Sequence, residues 1–206
     1  MAKSPKPMIH EQRRALSGDF SELSVEQWGT PSLGDKWTVQ EMLTQLLATA
    51  RLTPLMFVGQ LATACFSFWG FSDKYVARCI ADESAATLAA LRMTVGSSSA
   101  PPGPKGSGLG ETLVHAEDIR SCLDMEQGYR LPWMARAITF YAGGYTFIGG
   151  QDQVSRLTPT ATDIDWFLGS APVVEGRAVL LLMATTGRKL ALEELHCPGV
   201  DLLRGR

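Results

Sequence analysis

Two side chains raise the question of chemistry. Glu111 and His115 stand four residues apart in Gly108-Leu109-Gly110-Glu111-Thr112-Leu113-Val114-His115-Ala116-Glu117-Asp118-Ile119. On a helix this spacing puts a carboxylate and an imidazole on one face, one turn apart. Such a pair can hold a divalent ion when another helix supplies further donors, because zinc takes three or four protein ligands. Asp118, three residues beyond His115, is placed to orient the ring or a bound water. The same spacing on a solvated face gives only a hydrogen bond across one turn. The pair therefore takes its meaning from what other elements bring to it.

For most of the chain those elements read as helices. Residues 8–24 carry Leu16, Phe20 and Leu23 at spacings of four and three, behind a polar start of Glu11, Gln12, Arg13 and Arg14. Gly29 to Gly34 reads as a loop. Thr38-Val39-Gln40-Glu41 matches a capping box with Trp37 before it, and a helix follows through Met42, Leu43, Leu46, Leu47 and Ala50. Pro54 either kinks or restarts it. Gln45 lies off the Met42/Leu46 line and either faces solvent or looks into the mouth of a bundle. Phe66, Phe68, Trp69, Phe71 and Tyr75 read as core or pocket wall. Asp82 is placed to cap a helix carrying Leu88 and Leu91. The Ser-, Gly- and Pro-rich stretch from Gly96 to Gly108 reads as a flexible connection.

The Glu111/His115 helix should end near Arg120. Pro132 can open another, with Trp133, Ala137, Ile138, Phe140 and Tyr141, and the glycines from Gly143 onward break it up. These helices can form a four-helix bundle with extra segments over residues 1–154. After Val154 the texture changes. Residues 156–162 and 164–168 look extended, Val173-Val174-Glu175 precedes Gly176, and Ala178 to Ala184 is a short apolar helix with Gly187 as its cap. Leu190 to Leu195 reads as one more short helix. Residues 155–206 are thus expected to be a small C-terminal α/β appendage.

Composition narrows the partners. With 19 basic and 21 acidic residues, the formal charge of -2 gives no general attraction for nucleic acid or acidic lipid. Cys65, Cys79, Cys122 and Cys197 have no CxxC spacing and read as the reduced thiols of a cytoplasmic protein. The start, Met1 to Pro7, lacks the apolar core of a signal peptide. The uncharged run from Leu52 to Phe71 is interrupted by Thr53, Pro54, Gly59, Gln60, Thr63 and Ser67, and reads as a buried helix and turn rather than a membrane span. A monomer or homodimer acting on a small molecule, without nucleic-acid or membrane partners, is the expectation. No P-loop or GxGxxG follows a strand, and no serine hydrolase elbow is present.

Three segments in order, Pro31-Ser32-Leu33-Gly34-Asp35-Lys36-Trp37-Thr38-Val39-Gln40-Glu41-Met42-Leu43-Thr44-Gln45-Leu46, the Gly108–Ile119 stretch, and Ala161-Thr162-Asp163-Ile164-Asp165-Trp166, resemble the mycothiol-dependent maleylpyruvate isomerase family. That family lies within the wider DinB-like metal-binding bundle group, and the likeness runs on to Gly199-Val200-Asp201-Leu202-Leu203. It implies a mainly α fold, a DinB-like four-helix bundle with a small C-terminal α/β segment. It also implies a divalent metal, zinc first and nickel second, held by a histidine on the second helix and a Glu-x-x-x-His pair on a later one. The pair carries over as Glu111 and His115, while the histidine position is occupied by Gln45. A neutral amide oxygen binds zinc more weakly than imidazole, so the resemblance implies a weakened or lost ion at Gln45, Glu111 and His115, with Asp118 behind the histidine.

With a metal, the implied chemistry is activation of a low-molecular-weight thiol, mycothiol or a similar one, for isomerisation or S-transfer on a small electrophile. Arg120, Arg130 or Arg136 would then meet an acidic substrate or the thiol. Without a metal, the bundle would be a non-catalytic binding or regulatory module. Hydrolysis by a metal-bound water uses the same ligands and is the third reading.

Overall fold

The computed structural model describes residues 4–34, 37–53, 55–57, 59, 68–81, 83–97, 106–126, 128–143 and 154–205. The chain divides into two compact units, Met1–Glu126 and Gln127–Arg206.

In the first unit, helix α1 (Lys6–Asp19) opens with Pro7 in its first turn, where a missing N–H costs nothing, and gives way to a 3-10 turn at Phe20–Glu22. Gln12, Leu16 and Phe20 follow one another at a spacing of four and are all buried, so the buried line of this helix is polar at its start and apolar at its end. Ser24 and Gln27 form a capping box at the short helix α2 (Val25–Trp28). The box expected at Thr38 opens α3 (Val39–Arg51). The Thr38 amide donates to Glu41 Oε2 at 2.8 Å and the Glu41 amide donates to Thr38 Oγ1 at 3.3 Å. Val39, Met42, Leu43, Leu46 and Leu47 are buried, and Trp37 packs against the same core. Pro54 lies outside the described residues, as do Asp82, Phe66 and residues 98–105 of the expected flexible connection.

Helix α4 (Phe68–Cys79) packs on α3, with Tyr75 against Ala48 and Leu52. Helix α5 (Ser84–Thr94) follows, then α6 (Ser107–Cys122), which runs one half-turn past the expected end. Leu109, Leu113, Val114, Ala116 and Ile119 are buried around much of its circumference, as befits a helix enclosed by others. Helices α1 and α3 each pack on both α5 and α6, which closes a four-helix ring.

Contacts at both ends of the helices fix their registers. A Cβ on Gly108 would lie 3.5 Å from Ile9 Cδ1, and Arg120 Nε donates to Asp19 Oδ2 at 3.0 Å, so α1 and α6 run parallel. Three residues on from Ile9, Gln12 comes level with Glu111. Helix α3 runs the other way. At one end Met42 Cε fills the bare side of Gly34, and Asp118 Oδ2 lies within 3.7 Å of the same place. At the other, Ser97 Oγ donates to the Ala50 carbonyl at 2.8 Å while Arg13, whose charge acts on Glu111, donates to the Ser97 carbonyl at 3.3 Å. At about 1.5 Å of rise per residue, Gln45 on α3 comes level with His115 on α6.

In the second unit, α7 (Leu131–Ala142) carries Pro132 in its first turn and packs on α8 (Ala178–Thr185). The change of texture at Val154 falls inside this unit. Strands β1 (Thr158–Ala161) and β2 (Val173–Gly176) pair in parallel, Thr158 opposite Val173 and Ala161 opposite Gly176. The extended run expected at 164–168 forms no strand: Ile164 and Asp165 are bend. Phe167 alone bridges to Thr160, while Trp166 Nε1 donates to Thr139 Oγ1 at 3.2 Å. Asp163 Oδ1 accepts the Ala178 amide at 2.9 Å and so caps α8, whose own N-cap residue, Arg177, makes no side-chain capping bond. Gly187, at φ 85°, takes up the left-handed turn just past that helix. Leu190 falls in a 3-10 turn (Lys189–Glu193), and α9 (Gly199–Arg204) ends the described chain. The fold is therefore mainly α, a helical bundle with a small two-stranded sheet toward the C-terminus. Among the described residues no helix is long and apolar enough to cross a membrane.

Candidate ion-binding site in the bundle

His115 is held from behind. Its Nδ1 lies 3.2 Å from Oδ2 of Asp118, a side chain with no exposed surface. An ionised carboxylate only accepts, so an ionised Asp118 takes the Nδ1 proton of the ring in a hydrogen bond and leaves Nε2 as the nitrogen turned away from it. Nε2 faces Glu111 Oε1 at 4.0 Å. That is too long for a hydrogen bond and leaves a gap between two good donors. Zinc-type ligand distances of about 2.1 Å would require the pair to close by roughly half an ångström for a tetrahedral angle. Asp118 is fixed in turn by the loop before α3: the Leu33 amide donates to the Asp118 carbonyl at 3.1 Å, and Ser32 Oγ donates to the Trp37 carbonyl at 2.7 Å.

Burial pushes the Glu111 carboxyl above its ordinary value, opposed by His115 and by Arg13. Arg13 is itself buried, with Nη1 donating to the carbonyls of Thr94 at 3.2 Å and Ser97 at 3.3 Å where α5 ends. Burial lowers its guanidinium, and Glu111 raises it. His10 Nε2 meets the same Ser97 carbonyl at 3.0 Å.

Of the two settings open to Gln45, the structure takes the interior: it is 5% exposed, and its Oε1 has no hydrogen-bond partner among the described residues. Gln12 repeats the pattern at 3% exposed, with Oε1 likewise unpartnered. Buried carbonyl oxygens are ordinarily paired, so two such orphans in one bundle ask for a cation or a donor. Among the described residues no three His, Cys, Asp or Glu side chains are grouped to hold a metal. A divalent ion would therefore draw on one imidazole nitrogen, one carboxylate and amide oxygen, an oxygen-rich set that fits harder ions and weakens zinc.

The other candidates have settings of their own, with Arg130 exposed and Arg136 half-buried in the second unit. Arg120 is fully buried, with Nε and Nη2 both donating to Asp19 Oδ2, so it ties α6 to α1 rather than meeting a substrate. Arg130 stacks 5.1 Å over the Trp133 ring. Burial pushes the Cys122 thiol up, the reverse of an activated nucleophile. His196 sits in the second unit, its backbone paired with Glu175. Gln12 and Arg13 were hidden in what reads as a polar helix start. The one available signal is that Gln12 lies four residues before Leu16, on the buried line.

The helical bundle and the small parallel sheet make up a fold found in solved structures. One is a histidine-to-alanine mutant of the mycothiol-dependent maleylpyruvate isomerase, with a TM-score of 0.56 and 14% identity over 94% of this chain and 93% of that one. Another structure of the mycothiol-dependent maleylpyruvate isomerase gives a TM-score of 0.52 and 12% identity over 89% of this chain and 90% of that one. At these identities the likeness is one of fold. No protein-family model matches the chain, and no curated protein does.

Proposed function

We propose that this chain is a thiol-dependent isomerase or S-transferase of the cytoplasm, acting on a small electrophile with a divalent ion at Glu111, His115 and Gln45. The observation that carries the reading is the His115 arrangement, with Nδ1 fastened to buried Asp118 and Nε2 turned toward Glu111 across 4.0 Å. Imidazole ligands of metals are typically oriented by such a carboxylate, which fixes the tautomer and raises the ring's basicity. The shared fold with structures of the mycothiol-dependent isomerase supports mycothiol or a similar thiol as co-substrate.

Glu111 and His115 would anchor the ion, Gln45 Oε1 would add a weak neutral donor, and Asp118 would hold the ring. Bound there, a divalent ion supplies a Lewis acid that lowers the pKa of a thiol at neutral pH. Addition of the thiol sulfur to a conjugated carbon–carbon double bond leaves a single bond free to rotate, and expulsion of the same sulfur restores the double bond in the other geometry. The thiol is regenerated and nothing is oxidised. Displacement at a carbon bearing a leaving group gives S-transfer instead.

A second reading has an observation of its own. The charge of Arg13 already acts on Glu111, which is the compensation expected of a bundle that binds an organic ligand without an ion. Metal analysis decides between them. Near-stoichiometric zinc, nickel or manganese in the untagged protein, lost in a Glu111→Ala/His115→Ala double variant, is the expected result and justifies thiol-dependent assays. An absence of metal from both proteins after reconstitution would overturn the metalloenzyme reading in favour of the second.

A further inference from the structure

We propose that Gln12 lends a second amide oxygen to the same ion, so that two glutamines on opposite sides of α6 serve it together. This rests on the ion-binding reading above. Gln12 and Gln45 are the two glutamines whose Oε1 atoms are buried and unpartnered among the described residues, and they sit on α1 and α3, the two helices that flank α6 in the ring. The parallel register set by Ile9 with Gly108 and by Asp19 with Arg120 brings Gln12 level with Glu111. The antiparallel register set by Met42 with Asp118 brings Gln45 level with His115. Both orphan atoms are acceptors, as is the Glu111 carboxylate at the level of Gln12. Arg13, the cation next to Gln12, directs Nη1 at the carbonyls of Thr94 and Ser97.

The resulting set is one nitrogen and three oxygens. Carboxylate and carbonyl oxygens suit magnesium, manganese and calcium, while imidazole favours zinc, copper and nickel. The site should accordingly discriminate between zinc and manganese less sharply than one carrying a second imidazole in place of the amides.

The test titrates chelator-washed full-length protein with manganese and with zinc by calorimetry, for the wild type and for Gln12→Leu, Gln12→Glu, Gln45→His and Glu111→Ala. Gln12→Leu is expected to weaken manganese binding by about tenfold or more, with Gln12→Glu tightening it and Gln45→His widening the zinc-over-manganese ratio. Loss of binding in Glu111→Ala with unchanged affinity in both Gln12 variants would overturn the role of Gln12 and leave the ion site standing. If the wild type takes up neither ion, the ion-binding reading falls, and this one with it. Should Gln12→Leu fail to fold by circular dichroism, Gln12→Glu still decides: unchanged or weakened manganese binding overturns the proposal.

Discussion

Glu111 is the charge most sensitive to its surroundings. Its side chain is 22% exposed, so a strip of water contact tempers the effect of burial, yet the carboxyl is still pushed upward. In the ion-free protein the folded state therefore keeps this proton to a higher pH than the unfolded chain, where a glutamate titrates near about 4.3. The associated stabilisation is full below that value and is lost as pH rises through the folded one. Glu111→Gln mimics the protonated group at every pH. Its advantage over wild type in urea unfolding with chelator should grow from about pH 4 upward and then level off. A gap that stays constant with pH would mean that Arg13 and His115 already balance the carboxylate. With an ion present the order should reverse, because the variant loses a charged ligand. At this scale Glu111, His115 and Asp118 were legible, since their spacing along one helix fixes where they meet. The interior setting of Gln45 was not, because a single polar residue beside an apolar stripe fits either face. Gln12 and Arg13 were less legible still: a run of polar groups early in a helix is usually solvated, and it is distant chain, such as the Thr94 and Ser97 carbonyls that hold Arg13, that encloses this one.

Among the elements, the cap of α3 couples stability to the site. Thr38 caps the helix and pairs with Pro31, and the loop between them reaches Asp118 through the Leu33 amide. Thr38→Ala should cost about 1 kcal/mol in urea unfolding, with Thr38→Ser retaining most of it. If the loop holds Asp118 as described, Thr38→Ala should also weaken ion binding, and an unchanged affinity would confine the cap to a purely structural part. Caps and apolar stripes were legible because they are local chemistry repeated at helical spacing. The run at 164–168 misled because Trp166 and Phe167 look like strand residues, whereas one donates to Thr139 and the other makes a single bridge. Asp163 was equally opaque as a cap, since it lies fifteen residues from the amide it satisfies.

At the level of the whole molecule, the mainly helical architecture followed from periodicity, while the grouping of its helices did not. Helix α7 has the pattern of a bundle helix, but its packing partner α8 lies downstream, and no local pattern announces a contact of that range. All of α1, α3, α5 and α6 belong to the unit Met1–Glu126. A chain ending at Glu126 should therefore fold to a helical circular dichroism spectrum and bind manganese as the full chain does. A helical fragment without ion affinity, beside a full chain that binds, would overturn the assignment of the site to the first unit alone.

The bare side of Gly34 has a further consequence. It leaves room for the terminal methyl of Met42, which is 1% exposed, beside the carboxylate of Asp118. A terminal methyl is a sharp magnetic resonance signal, and eight methionines make a sparse spectrum in which one can be followed. Labelled with carbon-13, the Met42 methyl becomes an internal reporter that shifts when His115 tightens its hold on Asp118. Occupancy of the site could then be read in the intact protein without an added probe.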